Sequence, residues 1–123
     1  MAENKVYLTY SEEGGQLHIA EDVIAAIAAD AALEVEGVHS LMGGERSLKK
    51  GAGKSASIEL TEENKIQVKL SLMVCYGAVI PEVAVAVQKA VAEAIPAMTG
   101  FEVGTVDVHV AGIYFEGKTG GNG

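Results

Sequence analysis

The sequence has few of the residues on which several common kinds of site depend. Cys75 is the single cysteine among 123 residues, so no internal disulfide can form, which fits a reducing compartment such as the cytoplasm. Tryptophan is absent and only four tyrosines and two phenylalanines occur, so the core must be built from aliphatic residues and alanine. No apolar run approaches the roughly 18 residues of a membrane span, and the N-terminus lacks a basic-then-apolar signal.

Positive charge is scarce as well. Nine Lys and Arg stand against 17 Asp and Glu, which gives a net charge of −8. Binding to nucleic acid and direct docking to anionic lipid both rely on clustered Lys and Arg, so this balance argues against either partner. We therefore expect any membrane association to go through another protein.

The glycine-rich stretch 43–54 is the exception, because it collects four of the nine basic residues. Its end, Gly53-Lys54-Ser55, is similar to a phosphate-binding loop, but that motif needs a glycine where Leu48 stands and a helix after Ser55. The residues after Ser55 alternate like a strand instead. We interpret the stretch as a mobile basic loop suited to an acidic partner or an acidic face of a sister subunit. Its basic residues are Arg46, Lys49, Lys50 and Lys54.

The segment from Ile66 to Gly100 organises the rest of the chain. Apolar residues occupy the even positions from Ile66 to Val74, a period of two that predicts a strand with one face on a core. After a sharp break at Tyr76-Gly77, apolar residues recur every three or four positions, which predicts a long helix. Pro81 suits the first turn of that helix, and Gly100 suits its left-handed end. The stripe predicted to face the core is Val83, Val87, Ala90, Val91, Ala94 and Met98.

The remaining patterns complete an α+β fold. Short strands are predicted at Lys5 to Thr9, Gln16 to Ala20 and Val38 to Met42, and a hairpin at Ser55 to Thr61 and Lys65 to Cys75. A helix is predicted from Glu21 to Gly37, with a core face of Val23, Ile24, Ile27, Ala31 and Val35. This order predicts a two-layer sandwich, with two helices packed on one face of a mostly antiparallel sheet of about three to five strands. It allows one parallel crossover through the second helix.

The last predicted strand changes phase twice. Its apolar residues are odd-numbered before Gly104, even-numbered from Val106 to Val110, and odd-numbered again from Ile113. A slip of one residue turns every later side chain to the other face, so each change predicts a β-bulge. We place the bulges near Gly104-Thr105 and Ala111-Gly112.

The chain is predicted to form one domain, since 123 residues suffice to bury a core without disulfides or metal. We assign residues 15–116 to this domain and residues 1–14 to a flexible N-terminal arm. Residues 117–123 are predicted to be a disordered tail, because they carry nothing apolar to bury.

No catalytic or metal-binding constellation is apparent. A nucleophilic cysteine needs a neighbouring base, and no histidine lies near Cys75 along the chain. His18, His39 and His109 lie in three separate predicted elements and would meet only through folding. The Tyr76-Gly77 pair is explained by a tight strand-to-helix turn, with the tyrosine ring packed as a lid. We therefore predict no enzyme activity, no cofactor and no metal.

Both predicted helices have a second face that carries few charges, whereas an ordinary solvated face is richer in Lys and Glu. One interpretation is that alanine is simply a good helix former and lets the two helices approach closely. The other, which we slightly favour because both helices show the feature, is an exposed surface used for association. The residues of this candidate interaction surface are Ala25, Ala29 and Leu33 on the first helix, and Val85, Gln88 and Ala92 on the second.

Several short motifs occur in the order and spacing of a known family. They include Val74-Cys75-Tyr76-Gly77, Ile80-Pro81-Glu82-Val83, Met98-Thr99-Gly100 and Val106-Asp107-Val108. With these motifs the chain resembles the alkaline shock protein family of Gram-positive bacteria, over most of residues 14–115. The chain departs from the family at Ala20, a poor helix N-cap where serine or aspartate is common.

The resemblance implies a non-enzymatic, cytoplasmic protein of the cell-envelope stress response. Members of the family are typically self-associating scaffolds or adaptors, held at the inner face of the membrane by partner proteins. We therefore expect a homo-oligomer and a membrane-anchored protein partner. The alternative is a small regulatory or ligand-binding domain acting on a lipid-synthesis enzyme, which would need a defined apolar pocket, predicted to lie under Tyr76.

Overall fold

The computed structural model describes residues 7–41 and 56–115. This part of the chain contains two helices, which pack on one face of a four-stranded sheet, and a separate two-stranded sheet. The predicted α+β two-layer sandwich is therefore confirmed. In chain order the elements are β1 (Tyr7–Glu12), β2 (Gly15–Ala20), α1 (Glu21–Leu33), β3 (Val38–Leu41), β4 (Ala56–Leu60), β5 (Lys65–Cys75), α2 (Ile80–Thr99) and β6 (Glu102–Tyr114).

β5 is the central strand of the larger sheet. β6 runs parallel to β5 along its whole length and occupies one of its two edges. β3 and β4 are both antiparallel to β5 and share its other edge. β4 pairs with residues 66–70 of β5, and β3 pairs with residues 72–74. The one parallel crossover that the sequence allowed is formed by α2, which connects β5 to β6.

β6 contains both of the predicted bulges. Its register with β5 skips one residue at Gly104 and another at Ala111. These are the positions at which the apolar pattern changes phase, so the prediction is confirmed. Each bulge returns the apolar side chains of β6 to the side of the sheet that the helices cover.

The core between helices and sheet is almost entirely aliphatic. β5 buries every second residue from Ile66 to Val74, as its alternating sequence predicts. Each fully buried side chain of this kind contributes about 1.5–3 kcal/mol relative to an exposed one. The helices contribute two stripes with a spacing of four residues: Ile24, Ala28 and Ala32 from α1, and Val83, Val87, Val91, Ile95 and Thr99 from α2.

Two side chains that the sequence predicted to face the core are exposed instead. Val23 is 49% exposed and Met98 is 71% exposed. An α-helix has 3.6 residues per turn, so residues next to a buried stripe lie on its flanks. Val23 directly precedes buried Ile24, and Met98 follows buried Ile95 by three residues. A third predicted core-face residue, Val35, lies beyond α1, which ends at Leu33, but it still packs against the core.

β1 and β2 form an antiparallel hairpin that the sequence did not predict. The two strands pair along their whole length from Tyr7 to Ala20. The strands predicted at Lys5 to Thr9 and at Gln16 to Ala20 overlap β1 and β2, but the arm predicted for residues 1–14 is a paired strand and a turn from Tyr7 onward. An isolated two-stranded hairpin is only marginally stable, and here Leu8 joins the buried core of the domain. Residues 1–6 and the predicted tail 117–123 lie outside the described residues.

α2 begins and ends as predicted, but it contains a proline near its end. Pro81 lies in the first turn, and Gly100 ends the helix with a left-handed φ of 86°. Pro96 has no N–H and removes one helical hydrogen bond. Thr99 stabilises the last turn, because its Oγ1 donates a hydrogen bond to the carbonyl oxygen of Ile95 at 2.7 Å.

Candidate functional site

An open groove runs between α1 and α2 on the solvent side of the helix layer, and we call it the helix groove. Its volume is about 700 Å³, and the described residues that line it belong to the two helices and to Glu34, which follows α1. The exposed side chains of Val23 and Met98 lie in it, one from each helix. Its apolar lining is completed by small or half-buried side chains: Ala26, Ile27 and Ala31 on α1, and Ala94 on α2.

The border of the helix groove is negatively charged. Its three carboxylates, Asp22, Asp30 and Glu34, all lie on the α1 side. Asp30 and Glu34 are four residues apart and therefore lie one above the other on the surface of α1. Within residues 7–41 and 56–115, no Lys or Arg lines the groove. An apolar floor with a negative border is complementary to an apolar side chain flanked by positive charges.

On α1, the predicted interaction surface lies away from this groove. Ala25 and Ala29 are half-buried and pack against the core. Leu33 is exposed at the end of the helix, and none of the three lines the helix groove. The use of these residues in association stays a prediction.

On α2, the predicted surface faces the edge of the sheet. Gln88 lies next to β6, because its Nε2 donates a hydrogen bond to the carbonyl of Val106 at 3.1 Å. Val85, 57% exposed, and Ala92, half-buried, occupy the same flank of the helix. The six predicted residues therefore form two separate surfaces, one on each helix, with the helix groove between the helices.

The sequence was compared with known families and proteins. The family model of alkaline shock protein 23, described as having a cell envelope-related function, matches residues 9–115. The chain belongs to the alkaline shock protein 23 family. The resemblance inferred from its motifs is therefore confirmed.

Two relatives come from Gram-positive bacteria. Protein YqhY of Bacillus subtilis strain 168 is 33% identical over 110 residues, which cover 85% of this chain and 81% of YqhY. Protein Spy1535 of Streptococcus pyogenes serotype M6 is 30% identical over 105 residues, covering 83% of this chain and 81% of Spy1535. No solved structure matches the chain.

This alkaline shock protein 23 family chain also carries an exposed aromatic cluster at the C-terminal end of β5 and β6. Tyr76 is 70% exposed and stacks on Phe115, with ring centroids 4.8 Å apart. Beside them, His39 stacks on Tyr114 at 3.7 Å. The Tyr76 ring therefore does not close over the core as the predicted lid. Gly77, with a φ of 100°, makes the predicted turn beneath it.

The structure shows the surroundings of the cysteine and of two of the three histidines. Cys75 is a half-buried free thiol. His18 is hydrogen-bonded through Nδ1 to Oγ1 of Thr9 at 2.9 Å, and His39 through Nδ1 to Oγ of Ser40 at 3.1 Å. Within residues 7–41 and 56–115, no group of three or more His, Cys, Asp or Glu side chains is placed to hold a metal ion.

Two further sequence predictions concern charge and the membrane. The basic loop of Arg46, Lys49, Lys50 and Lys54 lies outside the described residues. Neither of the described helices combines the length and the apolar character that crossing a bilayer requires.

Sequence reasoning missed the helix groove because it assigned all of the groove's apolar residues except Ala26 to the core. Val23 and Met98 fit a core-facing stripe as well as they fit a flank. A signal was nevertheless present in the sequence. Asp22, Asp30 and Glu34 adjoin these apolar positions on the helical wheel, and a buried face would exclude such carboxylates.

Proposed function

We propose that this protein is a non-enzymatic, self-associating adaptor of the cell envelope, recruited to the inner face of the membrane by partner proteins. The helix groove is the observation that supports this function. Its exposed apolar lining has no partner within the described part of the domain, and exposed apolar surface of this kind is characteristic of association sites. The family's cell envelope-related function gives the cellular setting.

The first test is to place a charge in the floor of the helix groove. Met98→Lys should weaken self-association about tenfold or more, because it replaces an apolar contact of the groove with a positive charge. Because Met98 is largely exposed in the domain, the substitution should leave the fold intact. Sedimentation velocity over a wide range of protein concentration measures the association, and circular dichroism checks the fold.

Ser57→Lys is the matched control. Ser57 is exposed on β4, between two residues that face the core, so the substitution adds the same charge on the face of the sheet opposite the helices. It should associate as the wild type does. A wild type that stays monomeric at every concentration would rule out self-association as the basis of function. Equal effects of the two variants would rule out the helix groove as the surface through which copies associate.

A regulatory, ligand-binding function is the second candidate. The volume of the helix groove, about 700 Å³, lies within the usual range of small-molecule sites. Because the border is acidic, dodecylamine below its micellar concentration should raise the melting temperature more than dodecanoate does. Equal effects of the two amphiphiles, or a rise that Met98→Lys leaves intact, would count against a ligand site in this groove.

A further inference from the structure

We propose that the helix groove of one copy of this chain binds the basic segment Arg46–Lys54 of a second copy. The inference rests on the proposed self-association and names the surface that the groove binds. It follows from three observations: the charge of the groove, the distribution of charge along the chain, and the place where the segment leaves the domain.

The groove needs a positively charged occupant. Two acidic grooves facing each other would bring the carboxylates of Asp22, Asp30 and Glu34 against their copies, which is unfavourable. A face-to-face dimer through this surface is therefore disfavoured. The net charge of −8 adds a general repulsion between copies that a specific positive element must overcome.

One region of the sequence combines the positive charge and the apolar side chain that match this groove. The described residues contain the lysines Lys65, Lys69 and Lys89 and no arginine, and none of the three lines the groove. Segment 46–54, in contrast, places Leu48 between positive charges. An apolar side chain with positive neighbours matches an apolar floor with a negative border. The basic residues of the segment are Arg46, Lys49, Lys50 and Lys54.

The strands that flank the segment place both of its ends at one edge of the sheet. Leu41 ends β3 and Ala56 begins β4, and both strands lie on the edge of β5 opposite β6. The connection between them comprises residues 42–55. Half of it, roughly seven residues, can reach at most about 24 Å away from the domain. This reach is enough for the segment to contact a neighbouring molecule.

The contact would be heterologous, because the segment of one copy meets the groove of the next. Such contacts form a ring when the rotation closes and an open chain of subunits when it does not. An open chain of subunits has one free groove at one end and one free segment at the other. Assembly should also weaken as salt rises, since the contact includes exposed charges.

Two charge reversals test the proposal in the full-length protein. The first variant, Asp30→Lys with Glu34→Lys, makes the groove border positive. The second, Lys49→Glu with Lys50→Glu, makes the segment negative. Each variant alone should associate about tenfold or more weakly than the wild type, because attraction becomes repulsion.

Mixing the two variants provides the decisive comparison. In the mixture, the basic segment of the first variant meets the acidic groove of the second, and the acidic segment of the second meets the basic groove of the first. Sedimentation velocity of the equimolar mixture should therefore show association recovered to near the wild-type level.

The other outcomes overturn the inference. If the wild type associates and both variants associate equally well, the groove has another occupant, such as a different face of a second copy, while the proposed function stands. If the mixture stays dissociated, the segment does not act between copies. If the wild type itself is monomeric, the proposed self-association fails as well.

Discussion

Gly37→Ala is expected to lower the free energy of unfolding by about 2–5 kcal/mol, because the position combines backbone strain with a steric conflict. Gly37 has a φ of 100°, a conformation that costs an L-residue about 1–2 kcal/mol. A Cβ at this position would lie 2.7 Å from Cγ2 of Val83, in the first turn of α2. Overpacking of this kind costs about 1–3 kcal/mol more. Urea unfolding followed by circular dichroism measures the change.

Gly77 provides the matched control for this prediction. Its φ is also 100°, but no atom lies within 4 Å of an added Cβ. Gly77→Ala should therefore show the strain alone, about 1–2 kcal/mol. Shortening Val83 to alanine in the Gly37→Ala background should recover part of the steric cost, which a double-mutant cycle detects as non-additivity. Equal losses for the two glycine variants would show that α2 does not press on Gly37.

The second prediction compares a core residue with a residue of the helix groove on the same helix, α2. Ile95 is fully buried, so Ile95→Ala should cost about 2–5 kcal/mol through the lost contacts and the cavity that remains. Met98, one turn further on, is 71% exposed, and Met98→Ala should change stability by about 0.5 kcal/mol or less. The unfolding experiments need a protein concentration low enough to keep the chain monomeric, since association would add to the apparent stability.

A loss for Met98→Ala as large as that for Ile95→Ala would contradict this account. It would mean that the Met98 side chain belongs to the core, as its position in the apolar pattern first indicated. The helix groove would then lose its most exposed side chain, and the proposals built on it would lose their support.

Strands were the part of the fold that the sequence predicted well. In β5 a period of two ties each side chain to one face, so the buried row from Ile66 to Val74 is visible in the alternation itself. The bulges at Gly104 and Ala111 were visible for the same reason, because a change of phase has no other simple explanation in a strand. These signals are local and do not depend on the neighbouring elements.

The helix surfaces were harder to predict, because an apolar stripe on a helix has no sharp edge. Ile24 and Val23 are adjacent and both apolar, yet only Ile24 is buried. Which of them faces the core depends on the rotation of α1 against the sheet, a tertiary property that composition does not encode. The pairing of β1 with β2 escaped prediction because Tyr7 to Ala20 mixes polar and apolar residues without a clear period.

The central claim, that copies of this protein associate through the helix groove, is tested most directly by oxidation of Met98. An exposed methionine is converted to its sulfoxide, and burial in an interface slows the reaction. With hydrogen peroxide and mass spectrometry, Met98 should oxidise several-fold more slowly once the protein concentration passes through the range of association seen by sedimentation. Half-buried Met73, on the face of the sheet opposite the helices, should keep its rate and serve as the internal control. A rate for Met98 that stays constant while the protein assembles would contradict the claim.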